Sequence, residues 1–362
     1  MSLSPDDLYD IVCAYADFGD HRTGTDADAT TADWLADRLS ALGGTVERQP
    51  FSFNYFDHDV TLTANGHPVG SLPLYYSCLG RLDTDRVFTA RLPLDHEDGA
   101  KDPIPALCKL ALAEKAEALV LVTVGDTGGL VAINRPSTIV GTLPVVLVAG
   151  RDLDRLRHGG LRLSYTAALE RRTACNVIAR FGDPDAARRI VLTTPFSGWF
   201  SCAGERGAGI AVLLGLIESL RETHAFTVIA ATGHELMYRG GEIAAATYGA
   251  PPDFVLHLGS CVATTEGQLD AVLHAPDANA GPVAEALAPM QVRLHRPDAP
   301  DAAESWVGES RCWAGRPSRM LSIAGTSPDF HTPEDTPDRA TGPDMLARNL
   351  HCIRQAFHAV AG

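Results

Sequence analysis

The sequence predicts an α/β chain: a mostly parallel sheet flanked by helices, with a β-rich segment inserted near its start. Three observations carry that reading. From residue 176 onward, short apolar runs alternate with helix-like stretches, the pattern of parallel strands covered on both faces. From about residue 52 to 167 the texture shifts to short β-type runs broken by Gly and Pro turns. Ahead of both, strong helix-start signals open the chain.

The elements follow in order. In "SPDDLYDIVCAYADF", Ser4 suits an N-cap, Pro5 the first helical position, and two Asp residues the first turn. A second helix, "DATTADWLADRLSALGG", ends at a Gly pair able to take the left-handed cap. "TVERQPFSF" then reads as a strand. The inserted stretch offers "VFTARLPL", "ALVLVTV" and "LPVVLVAG" as strands, with one helix near 104–117. Afterwards come the strand runs "NVIARF" and "RIVLTT", and the buried helix "GAGIAVLLGLIESLRE". "FTVIAATG", "DFVLHLGS" and "RMLSIAG" follow, each a short apolar run before a loop. "GPDMLARNLHCIRQAFHAV" closes the chain as a helix. The domains expected are 1–51 with 168–362, and 52–167 between them.

Bulk properties exclude some partners. A formal charge of −15 argues against nucleic acid or an anionic membrane surface. No apolar stretch approaches the ~20 residues that span a bilayer. "MSLSPDDLYDIV" lacks a basic region followed by an apolar one, so no secretory signal is expected. The eight cysteines are scattered without a CxxC pair, which reads as cytoplasmic free thiols rather than a disulfide framework.

Ligands of open α/β sheets bind beyond the C-terminal strand ends, and the polar residues of interest gather there. Ser197 and Glu205 follow one apolar run, His234 and Glu235 the next, then Cys261, then His331. "HELMY" opens like a zincin helix, but Tyr238 stands where the second His belongs. His234 titrates in the range of a general base; the plain alternative is a space-filling side chain. Glu205 near a helix start also suits a dipole-stabilised charge. His257, inside an apolar run, reads as a satisfied buried imidazole. Cys202, ahead of a helix, and Cys261 could in principle pair with His234 or His331 for nucleophilic catalysis, although most such cysteines are small hydrophobes. Trp199, Trp306, Trp313, Arg206 and Arg311 fall in loops expected to border the cleft. There they could stack on or clamp a substrate, rim packing being the commoner role.

The segments "RIVLTTPFSGW", "CAGERGAGIAVLL", "VIAATGHELMYRGGE", "FVLHLGS" and "SPDFHTPEDTPD" resemble, in order and spacing, the di-zinc aminopeptidases that also include glutaminyl cyclase. "HRTGTDADATTADWLADRLSALGGTVERQPF" looks like that family's opening region, and the stretch 52–167 resembles its inserted protease-associated domain. The resemblance implies a zinc-exopeptidase-like fold over nearly the whole chain. It also exposes departures. The family's first zinc-ligand His falls on Pro195 and the acidic residue two places later on Ser197. The bridging Asp falls on Glu205, the Glu-Glu pair of base and ligand on His234 and Glu235, the later Asp on Gly259. The last His is His331.

Two ligands of one zinc are thereby lost, while Glu205, Glu235 and His331 remain for the other. Two carboxylates and an imidazole suit one catalytic zinc with open positions. The implied protein is a single-metal enzyme acting on an amide or peptide-like bond, with His234 as base. Its substrate would be a small molecule or short peptide, contacted by Trp199, Arg206, Cys202, Cys261, Glu304 and Trp306. The competing expectations are a metal-free binding protein that keeps the fold as a scaffold, and a cysteine/histidine enzyme.

Overall fold

The computed structural model describes residues 3–94, 102–125, 127–139 and 141–361. They form two compact units. One takes in the described residues of Met1–Phe51, Thr173–Phe330 and Asp335–Gly362; the other takes in Ser52–Arg172 and His331–Glu334. The chain passes between them inside two long strands, Thr45–Ala64 and Leu161–Phe181, and again on either side of His331–Glu334.

The first unit is organised by four parallel neighbours in the order Arg319–Thr326, Phe254–Leu258, Ile190–Pro195, Phe226–Ala231. Antiparallel strands extend this set. Gln268–His274 lies beside Arg319–Thr326, and the end of Leu161–Phe181 lies beside Phe226–Ala231. The four parallel strands read as unbroken apolar runs because both faces are covered. Leu192, Val228, Leu256 and Ile323 face a core built with the helices Pro5–Ala16, Asp26–Ala41, Ala208–Leu220 and Pro343–Ala361. Val191, Ile229 and Val255, one residue over, face Trp306, Trp313 and the helix Arg239–Thr247. This alternation is the period-two geometry of a strand.

The opening helix carries the expected cap: Ser4 accepts from the Asp7 N–H, and the Asp7 carboxylate accepts from the Ser4 N–H in return. Sequence reading missed the helix Asp277–Leu287, which carries Gly281 and Pro282 inside it, and the strand Gln268–His274.

The second unit holds a four-stranded sheet in the order Ser71–Pro73, Val145–Ala149, Ala118–Val124, Val87–Pro93, with the last three mutually parallel. The helix Ile104–Ala113 supplies Ile104 and Ala111 to a core with Leu119, Leu121 and Leu147. His331, expected in the 168–362 domain, groups instead with this unit. Its carbonyl accepts from the Ala132 N–H at 2.9 Å, and its Nδ1 lies 3.1 Å from the Ala132 carbonyl.

Candidate active site

Register aligns the parallel strands so that Ala231 sits opposite Pro195 and Leu258 opposite Ile323. Their C-terminal ends therefore open onto one edge of the first unit, the place where such sheets carry ligands. The loops there turn through left-handed backbone at non-glycine residues: Phe200, Cys202, Met237, Tyr238 and Cys261 all have positive φ. Backbone of this kind persists only where surrounding contacts enforce it, and it collects at functional sites.

Ser197 organises the loop that carries His234. Its hydroxyl oxygen accepts from the Gly233 and His234 N–H groups at 2.8 and 3.1 Å and donates to Glu235 Oε2 at 3.0 Å. The other Glu235 oxygen accepts from the Thr23 N–H at 2.5 Å. Burial raises the Glu235 carboxyl, against the lowering effect of these bonds. Both carboxylate oxygens of Glu235 are thus engaged by protein donors.

With its backbone fixed in this way, His234 turns Nδ1 to Glu309 Oε2, 3.0 Å away. Glu309 enters from the 3-10 turn Gly308–Trp313 and is 2% exposed. Burial pushes its carboxyl up to about 8; Arg206 opposes the rise and Glu235 adds to it. The Gly240–Gly241 pair makes room for this contact. A Cβ at Gly241 would lie 2.5 Å from the Glu309 carboxylate, and one at Gly240 would collide with the Thr232 carbonyl. Tyr238 sets its ring edge against the imidazole at 4.9 Å, and the exposed Arg311 lies over the Tyr238 ring at 5.4 Å.

Glu205 lies on a π-helical turn, Ala203–Gly207, leading into Ala208–Leu220. The Asp335 carboxylate accepts from the Gly204 and Glu205 N–H groups at 2.8 and 3.0 Å, satisfying donors that have no intrahelical partner. Arg206 follows directly. Its Nη2 lies 2.6 Å from Glu205 Oε1, both side chains being 0% exposed, and its Nε donates to the Ser197 carbonyl at 2.9 Å.

Arg206, Trp199, Trp306 and Trp313, expected in loops bordering the cleft, are all buried. Trp306 and Trp313 belong to the apolar cluster beneath the sheet, and the Trp306 indole N–H donates to the Pro300 carbonyl. Glu304 is exposed on the short turn Ala303–Ser305. Cys202 and Cys261 are fully enclosed, and burial pushes both thiols well above their ordinary range. Cys202 packs with the Tyr15 hydroxyl at 3.1 Å. Enclosure on that scale opposes the thiolate a nucleophilic cysteine needs. His257 is buried and pushed down to about 3, by burial first and Arg206 second, so it is neutral. Glu309 had no signal in the sequence beyond the Gly-Gly pair that admits it.

Among the described residues, no group of three His, Cys, Asp or Glu side chains is placed to hold a metal ion. Glu205 is ion-paired to a buried guanidinium, and Glu235 is engaged on both oxygens. Pro195 has no ligating atom, and a Cβ at Gly259 would lie 2.7 Å from the Ala324 Cβ. The set does not fit a metal centre.

No protein-family profile matches the chain, and no curated protein matches it. Solved structures do. A zinc aminopeptidase from Bacillus subtilis superposes with TM-score 0.75 at 16% identity, over 99% of this chain and 95% of its own. A peptidase M28 precursor from Shewanella amazonensis gives 0.73 at 18% identity, covering 98% and 92%. A glutaminyl cyclase from Bacteroides thetaiotaomicron gives 0.55 at 13%, covering 98% of each chain. Among the described residues, no helix is long and apolar enough to cross a membrane. This chain has the fold shared by the zinc exopeptidases and glutaminyl cyclase.

Proposed function

We propose that the chain processes an amide or peptide-like bond of a small or short-peptide substrate, with the His234–Glu309 pair moving the proton. The observation that carries this reading is the 3.0 Å contact between His234 Nδ1 and Glu309 Oε2 at the C-terminal edge of the parallel strands. An ionised Glu309 fixes the tautomer with the proton on Nδ1, so proton transfer falls to Nε2. Glu309 also stabilises the imidazolium that forms once that proton is taken up, as a carboxylate does beside other catalytic histidines. The bond class is suggested by the aminopeptidases and glutaminyl cyclase that share the fold.

A panel of amide, ester and cyclisation substrates tests the proposal. Wild type is expected to turn over at least one class, and His234→Gln to fold normally and lose on the order of 10² or more in rate. Absence of turnover across the panel would favour a binding protein on this scaffold.

A second reading keeps one zinc on Glu205, Glu235 and His331, and rests on the likeness to zinc aminopeptidases. The Glu205–Arg206 ion pair weighs against it. We propose further that the unit around 52–167 is a protease-associated-like insertion, from its change of texture, and that the protein works in the cytoplasm.

A further inference from the structure

The acidic cluster at the strand ends contains a cation supplied by the chain itself. Arg206 reaches both positions that bracket the site. Its Nη2 lies 2.6 Å from Glu205 Oε1, and its Nε donates to the carbonyl of Ser197 at 2.9 Å. The stem is enclosed, Arg206 being 0% exposed. Neither Arg206 nor Glu205 exposes any side-chain surface. Arg206 also sits within electrostatic reach of Cys202, which caps its own turn, and of Glu309 and Tyr15, which approach from two other segments of the unit.

A guanidinium stays charged under all ordinary conditions and is weakly hydrated, so it tolerates burial better than an ammonium does. A buried charge of either sign is costly unless it is paired and hydrogen-bonded. Glu205 and Arg206 supply the pairing for each other, and the Ser197 carbonyl accepts a hydrogen bond from Arg206 Nε. Among the described residues, no three His, Cys, Asp or Glu side chains are grouped to hold a divalent ion. Glu235 is engaged on both oxygens, and Gly259 lacks the space for a carboxylate-bearing side chain.

We propose that Arg206 is the resident cation of this site, supplying in fixed form the positive charge that balances Glu205 and its neighbours, and that the chain takes up no divalent metal there. The inference stands on the Glu205–Arg206 geometry and does not require His234 to be a base. It makes the fold's charge balance independent of metal supply and chelators.

Two measurements test it together. Wild-type protein is stripped with a chelator, equilibrated with zinc, passed through a desalting column and analysed for metal, with melting followed in parallel. We expect no stoichiometric zinc and no zinc-dependent rise in Tm. Stoichiometric zinc in wild type that is lost in Glu205→Gln would overturn the proposal. A double-mutant cycle supplies the second arm, because breaking a buried pair is far more damaging than replacing both partners. Arg206→Met and Glu205→Gln should each lower Tm by many degrees or prevent folding, while the double variant regains most of the loss. A double variant no more stable than Arg206→Met would overturn the pairing.

Discussion

Glu309 changes what His234 can do. Without a carboxylate on Nδ1, the imidazole could adopt either tautomer; with Glu309 ionised, Nδ1 carries the proton and Nε2 the lone pair. The Glu309 carboxyl is pushed up to about 8 by burial, and two groups in contact titrate as a pair. The base-competent form therefore accumulates as pH rises through about 8, and activity should rise with it. In Glu309→Gln that limb should disappear and turnover should fall by about 10². A rate–pH profile for the two proteins checks both points. An unchanged limb in the variant would remove Glu309 from the reaction. Arg206 is a further residue that sequence reasoning placed at the cleft border and the structure buries, because long charged side chains are almost always exposed unless paired. Its partner is the residue just before it, Glu205.

At the scale of elements, the site depends on how closely the helix Arg239–Thr247 approaches the 3-10 turn Gly308–Trp313. Gly241 sets that approach. The expected result for Gly241→Ala is a stability loss of about 1–3 kcal/mol from overpacking. Activity should also fall, since the new methyl lies 2.5 Å from the Glu309 carboxylate. Gly249→Ala is the control: nothing lies within 4 Å of its Cβ, and its cost should stay within about 0.5 kcal/mol. Denaturant melts of both variants, with parallel rate measurements, check this.

The same elements show what could be read in advance. "RIVLTT", "FTVIAATG", "DFVLHLGS" and "RMLSIAG" were legible because strands buried on both faces are continuously apolar, and His234, Glu235 and Glu205 were legible because they follow such runs. The helix Asp277–Leu287 was hidden by Gly281 and Pro282, whose local breaking tendency is overridden by Val283 and Leu287 packing into the core. The His234–Glu309 contact joins residues 75 apart in sequence, and no periodicity reports a pairing across that distance.

For the whole molecule, buried acids give stability a defined pH dependence. Asp28 and Asp335 are pushed up to about 7, and Glu309 to about 8, each chiefly by burial. Between the ordinary carboxyl range and these values, the folded state holds protons that the unfolded state has released. Stability therefore falls as pH rises through about 7 to 8. The buried imidazoles act oppositely: His21 is pushed down to about 4 and His257 to about 3 by burial, so their contribution is lost as pH falls below about 6.5. The cleaner window lies between about pH 7 and 8, where the histidine contribution is mostly complete and the buried acids dominate. Melting temperature should decline across it, and Asp28→Asn combined with Glu309→Gln should flatten the decline. A flat wild-type curve in that window would contradict the assignment.

The central claim, that His234 and Glu309 form one proton-carrying pair, can be measured without knowing the substrate. Nitrogen-15 long-range NMR on histidine-labelled protein, with His234→Gln used for assignment, follows both ring nitrogens of His234 between about pH 6 and 9, the range around the working pH of a histidine base. The pair should release its proton through about pH 8, ending with Nδ1 protonated and Nε2 unprotonated. In Glu309→Gln the transition at about 8 should be absent. Ring nitrogens that behave identically in wild type and Glu309→Gln across this range would contradict the account.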